Sequence, residues 1–179
     1  AYNDEPSSRM DLAASELPGD WTISWSAYDT ETTTEFAYDL FLSTDGTAYQ
    51  LWRQGVVETQ LDFATEPGHV YAFQSIANDG AGGREPEKTM PDVVLVTGTS
   101  DDDQTIVDIG LASIQVEMNG TLASFSTDRP SDRPLIVGID TLDGDDQLHI
   151  LGSPGAEQGE MHPGAATLMG PSYILRAQN

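Results

Sequence analysis

The chain has no cysteine, which excludes disulfide staples, thiolate metal centres and cysteine nucleophiles together. It has one lysine, Lys88, among only seven basic residues, against thirty acids, for a formal net charge of −23. Such a surface repels nucleic acid phosphates and anionic lipid, so no nucleic acid partner is expected. It should attract cations, stay soluble at high salt and gain stability when divalent ions neutralise neighbouring carboxylates. Simple solubility in a saline setting would account for the same composition. No apolar run is long enough to span a bilayer, so no membrane insertion is expected. The opening AYNDEPSSRM lacks the basic start and apolar stretch of a signal peptide. An exported protein would then have lost its signal or carry it upstream. A helical hydrophobic period is missing as well.

What is present is period-two alternation and turn chemistry. Trp21, Ile23 and Trp25 alternate with Thr22 and Ser24, the pattern of a half-buried strand. Tyr38, Leu40 and Leu42 alternate in the same way. Asp45-Gly46 then turns the chain into Tyr49–Arg53, because glycine tolerates the positive φ of a tight hairpin. Leu61 and Phe63 make a short strand, and Pro67-Gly68 precedes the longest one, His69–Ala77. Short strands at this spacing predict an all-β sandwich. The aromatics divide the chain: twelve of fourteen precede Val96, leaving only Phe125 and Tyr173 after it. The stretch Asn78–Pro91, with Gly80, Gly82, Gly83, Pro86 and Pro91, is the expected boundary.

Three runs carry a resemblance: WTISWSAYD, FAYDLFLSTDGTAYQLW and PGHVYAFQSIANDGAGGREP. Together they resemble bacterial fibronectin type III domains over about residues 4–95. The likeness implies an immunoglobulin-like sandwich with Trp25 as the core tryptophan of the second strand. It also implies a tyrosine corner at Tyr71, whose hydroxyl would tie the preceding loop to the strand. The loop Thr30–Glu35 departs from the family, carrying threonines and glutamates where relatives often carry glycines.

The second half is again β in texture, with small residues at many positions. Thr105, Val107 and Ile109 alternate, and Ile114, Val116 and Met118 lead into Asn119-Gly120, a strong hairpin signal. Leu135–Ile139, Gln147–Leu151, Ala166–Met169 and Tyr173–Ala177 are further short runs. Segments GTSDDDQTI at 98–106 and LDGDDQLHI at 142–150 both set acids just before a β-forming run. This resembles the aspartate-rich turns of calcium-binding β-roll repeats, although the paired glycines and the tandem period are missing. A sheet of short, similar rungs fits better than a deep sandwich core. The tail from Gly152 to Asn179 resembles segments of large planctomycete-type surface proteins, in which the chain continues.

Catalytic signatures do not emerge. His69, His149 and His162 have no partners at ligand spacing, and structural roles suffice for them. No nucleophile elbow, zinc helix or phosphate loop occurs. Nor does anything mark a pair of carboxylates across a cleft. No enzyme is expected. Calcium is the sharper idea, because a hard cation takes six to eight oxygens from carboxylates, carbonyls and waters. The candidate ligands are Asp140, Asp143, Asp145 and Asp146, with Gly144 permitting the bend, and Asp101, Asp102 and Asp103. The plainer account is that aspartates favour turns for their own side-chain hydrogen bonds. Asn119-Gly120-Thr121 has the form of a glycosylation sequon, but the hairpin turn explains its asparagine.

The expected fold is therefore all-β: a fibronectin type III-like (Ig-like) β-sandwich over 1–95, then a second small β domain of short strands over 96–179, Asp/Gly-rich and β-roll-like or a second sandwich. The expected role is a structural, adhesion or filament-forming module of a secreted or cell-surface bacterial protein, stabilised by Ca2+. Its partners would be other protein modules, copies of itself, or a glycan. The alternative is a carbohydrate-binding or accessory module of a secreted hydrolase. Trp52 and Tyr49 discriminate: side by side in solvent they would form a sugar platform, and buried they would favour the structural role.

Overall fold

The computed structural model describes residues 5–14, 20–30, 35–110, 112–127, 133–152, 158–162, 165–170 and 173–178. The family-departing loop at 31–34 and the Pro-Gly turn at 163–164 lie outside them. The described residues form an all-β fold without helices. No helix is thus long and apolar enough to cross a membrane, which says nothing of crossing with strands.

The first half contributes β1 (Ser7–Ala14), β2 (Asp20–Tyr28), β3 (Phe36–Thr44), β4 (Gln50–Val56), β5 (Gln60–Ala64), β6 (Val70–Asp79) and β7 (Val93–Thr97). The second half contributes β8 (Gln104–Ile109), β9 (Ser113–Met118), β10 (Thr121–Ser126), β11 (Leu135–Asp140), β12 (Gln147–Leu151), β13 (Gln158–His162), β14 (Ala165–Met169) and β15 (Tyr173–Gln178). They assemble into three layers. A three-stranded sheet, β1-β2-β5, covers one face of an eight-stranded sheet ordered β13-β14-β15-β11-β7-β6-β3-β4. A four-stranded sheet, β10-β9-β8-β12, covers the other face.

Side-chain alternation decides which residue faces which layer. On β7, Val93 and Leu95 join the core beneath β1 and β2, beside Leu12, Trp21, Ile23, Trp25 and Phe73. Val94 and Val96 point the other way, among Val107, Ile109, Ile114 and Val116. β11 splits likewise, Ile136 joining the first core and Leu135, Val137 and Ile139 the second. Strands buried on both faces read as unbroken apolar runs, and parallel pairing is typical of them. VVLVT and LIVGID are such runs, and β7 pairs with β11 in parallel. Fully burying one Leu or Ile side chain stabilises by roughly 1.5–3 kcal/mol, so the central layer is where most of the stability resides.

The residue 95/96 boundary falls inside β7, in the interior of the shared sheet. The stretch Asn78–Pro91 joins two paired strands, β6 and β7, rather than two separate sheets. Both predicted hairpin turns form. Asp45 and Gly46 have φ of 51° and 72°, and Asn119 and Gly120 have 49° and 81°, the left-handed pair a tight hairpin needs. The Tyr71 hydroxyl accepts a hydrogen bond from the Glu66 N–H at 3.0 Å, so the tyrosine corner is present.

Candidate functional site

The two aspartate-rich segments occupy equivalent corners of the fold. Residues 98–103 carry the chain from β7 in the central sheet to β8 in the outer sheet, and 141–146 carry it from β11 to β12. β7 lies beside β11 and β8 beside β12, both in parallel, with Thr97 opposite Asp140 and Gln104 opposite Gln147. Partners across the corners keep one offset of 43 residues. The similar segments are therefore two stacked rungs, and their acids meet at one edge.

Most of these acids act as acceptors for corner backbone. Asp146 Oδ1 accepts the Asp103 N–H at 2.9 Å, and Asp102 Oδ1 accepts the Asp145 N–H at 3.1 Å. Asp140 Oδ1 accepts the Leu142 N–H at 3.0 Å, while its Oδ2 receives the Gln178 side-chain amide. Asp103, only 2% exposed, is the hub. Its carboxylate receives the Thr99 N–H at 2.6 Å, the Thr99 hydroxyl at 3.0 Å and the Asn119 side-chain amide. Asn119 Oδ1 in turn accepts the Gln104 N–H at 3.0 Å, so both ends of the sequon asparagine's amide are engaged by the corner. Asp101, Asp143 and Asp145 are exposed. Among the described residues no three acids or histidines converge as a metal cage. One oxygen stands out: Asp146 Oδ2 is buried with no hydrogen-bond partner.

Tertiary structure supplies His69 with a partner from a distant turn, Asp45, beside the nearby Glu66. Its Nδ1 lies 2.7 Å from Asp45 Oδ2, across 24 residues of chain, and Nε2 lies 3.9 Å from Glu66. The Val70 N–H bound to Asp45, aided by His69 and opposed by partial burial, holds the Asp45 carboxyl below its ordinary value. His149 is exposed on β12. The aromatics proposed as a sugar platform part company. Trp52 packs edge-on against Phe63, with ring centroids 5.6 Å apart, and lies 5.8 Å from Phe73 in the first core. Tyr49 packs against the second core, on the opposite face.

A second polar cluster escaped the sequence reading. In the β6–β7 connection, Glu85 is 5% exposed, and the side chains of Lys88 and Asp92 are 14% and 12% exposed. Lys88 Nζ sits 2.8 Å and 3.0 Å from the two Asp92 oxygens, and 3.6 Å from Glu85 Oε1. It also donates to the Ser8 carbonyl at 2.9 Å and lies 3.1 Å from the Ser8 hydroxyl. Asp92 Oδ2 accepts the Ser75 N–H at 3.0 Å and faces the Ser75 hydroxyl at 3.3 Å. Glu85 accepts the Ser8 N–H at 2.9 Å, the Ala77 N–H at 3.1 Å and the Ser8 hydroxyl. Burial pushes the Asp92 carboxyl above its ordinary value, with Glu85 adding to it, against the pull of Lys88 and the Ser75 N–H. The signal was in the sequence: the chain's only lysine lies between Glu85 and Asp92 in a proline-flanked loop.

The chain matches no family model and no curated protein sequence.

Proposed function

We propose that this chain is a non-catalytic structural module of a secreted or cell-surface bacterial protein, a spacer or adhesion unit that engages other modules or copies of itself. The observation that carries this reading is the central sheet. It runs unbroken through both halves and is covered on both faces, so tension on one half is transmitted through β7 and β11 to the other. The sandwich of β1-β2-β5 over β4-β3-β6-β7 and the Tyr71 corner support the fibronectin type III resemblance of the first half.

Among structural roles, a spacer is better supported than a filament built by strand pairing at β4. That strand ends one side of the central sheet. Its pairing with β3 slips register around Leu40, Gly55 takes φ of 63°, and Arg53 lies exposed on it. Bulges and charge are the usual guards against edge-to-edge association. Calcium belongs to the proposal through the stacked acidic corners, where the unpartnered Asp146 Oδ2 would gain most from a cation. Separation of Trp52 and Tyr49 onto opposite cores removes the feature that would have favoured a carbohydrate-binding module.

The test is to pull single molecules from their two ends. One unfolding event that releases both halves together supports a tension-bearing spacer. Separate events, with residues beyond β7 yielding first at low force, would remove the observation on which the reading stands.

A further inference from the structure

We propose that Lys88 and Asp92 condense into an intramolecular amide, with Glu85 carrying the proton from the attacking amine to the departing water. The inference is independent of the spacer reading, because it rests on the buried cluster of the β6–β7 connection alone.

Each group stands where this chemistry needs it. Lys88 Nζ lies within hydrogen-bond distance of both oxygens of the Asp92 carboxyl, so the amine is held against the group it attacks. Held this way, the step becomes effectively unimolecular. The environment is largely closed to solvent, where an ammonium facing a carboxylate loses much of its advantage over a neutral amine facing a neutral acid. Burial raises the Asp92 carboxyl against the pull of Lys88, which favours the protonated acid whose hydroxyl can depart as water. The Ser75 N–H and hydroxyl converge on Asp92 Oδ2, polarising the carbonyl and steadying the negative charge that grows on it during attack. Oδ1 has no such donors from Ser75, which makes it the leaving oxygen. The Ser8 carbonyl holds Nζ from the other side and can keep the remaining N–H of the amide bonded.

In the reaction the Lys88 Nζ–Asp92 Cγ bond forms and the Cγ–Oδ1 bond breaks. The amine gives one proton to the Glu85 carboxylate, 3.6 Å away, which returns it to the departing hydroxyl. One water leaves and nothing is oxidised or reduced. One positive and one negative charge vanish together, so the formal net charge stays at −23. A cavity of about 340 Å³ reaches Asp92, lined also by Arg9, Trp25 and Arg133, and offers the water a way out.

The experiment is intact-mass spectrometry of the purified, folded chain, followed by digestion under denaturing conditions and fragmentation. The expected mass is that of the sequence less one water, with the loss mapped to the peptide holding Lys88 and Asp92. Trypsin should fail to cut after Lys88. The variants K88R and E85Q, checked for folding by circular dichroism, should show the full sequence mass. A wild-type mass equal to the sequence mass overturns the proposal without reference to any variant. So does a water loss that maps to an Asp-Gly pair such as Asp143-Gly144, the signature of succinimide formation. If E85Q folds and loses water as the wild type does, the role given to Glu85 is overturned.

Discussion

Gly138 of β11 lies directly beneath the Leu12 side chain of β1, so close that a Cβ on Gly138 would collide with it. The same Cβ would come within 2.7 Å of Leu95 Cδ2 and 3.1 Å of the Trp21 ring. A residue of the second half is thus a floor tile of the first half's core, and Arg176 of β15 reinforces the contact by pairing with Asp11 at 2.8 Å. Replacing Gly138 with Ala forces a shift in a packed interior, a change that typically costs about 1–3 kcal/mol. Urea unfolding of G138A should show that loss. The tryptophans all lie in the first half, so their fluorescence and the far-UV signal of the whole chain report different regions. Coincident midpoints are expected for wild type and variant alike; separated midpoints would mean that the halves unfold independently.

Trp52 anchors a cluster of Phe63, Phe73 and Tyr71 rings. W52A should destabilise the fold by about 2 kcal/mol, below the roughly 3–5 kcal/mol for losing a fully buried tryptophan, because Trp52 is only partly buried. Retention on immobilised polysaccharides should be the same before and after. Specific loss of retention in a folded W52A would revive the carbohydrate-binding reading.

Removing the Tyr71 hydroxyl leaves the Glu66 N–H without its acceptor. Y71F should lower stability by about 1 kcal/mol, the usual net worth of one such bond. The aromatic packing of Tyr71 on Phe63 should survive, so the near-ultraviolet change should be confined to the lost tyrosine band.

Calcium should raise the thermal midpoint by several degrees where equimolar magnesium does not. A ligand at a hundred times its dissociation constant adds roughly 2.7 kcal/mol to a fold that alone binds it. Substituting Asp146 with Asn should abolish the shift. An equal response to both cations would reduce the acidic corners to backbone acceptors and general solvation.

Acid should destabilise the protein through Asp39 and Asp45. Burial alone would raise the Asp39 carboxyl, but the Arg84 side chain, the Gly55 N–H and Asn78 outweigh it and set it below the ordinary 3.8. Asp45 lies below 3.8 through the Val70 N–H and His69. A depressed folded value means stability that is complete above 3.8 and lost as pH falls through the folded values. Urea midpoints between neutral pH and pH 3 should therefore fall, and the fall should be shallower in D39N and D45N. Equal slopes in wild type and both variants would remove these two pairings as its cause.

Local pattern alone was enough for the elements whose cause is local. Trp21, Ile23 and Trp25 alternate because β2 is buried on one face, and that face is in the first core. Asp45-Gly46 and Asn119-Gly120 turn the chain because their backbone tolerates positive φ. The likeness of residues 98–106 and 142–150 was legible as a repeated pattern, but not that parallel pairing of β7 with β11 and β8 with β12 would stack the two corners. Nor did the alternation along β6 tell that nearly all of the strand would be buried. That outcome depends on the second outer sheet, which comes from residues far along the chain.

The sequence by itself therefore determined an all-β chain, its turns, its first-half core and the places where its acids gather. Period-two alternation and turn chemistry act over a few residues and need no partner. Only the tertiary structure decided that the halves share one sheet, that His69 meets Asp45, and that Lys88 is buried against Asp92 with Glu85 beside it. Those relationships arise from pairing and burial between distant segments, and a linear pattern carries no record of which surface will come to cover which.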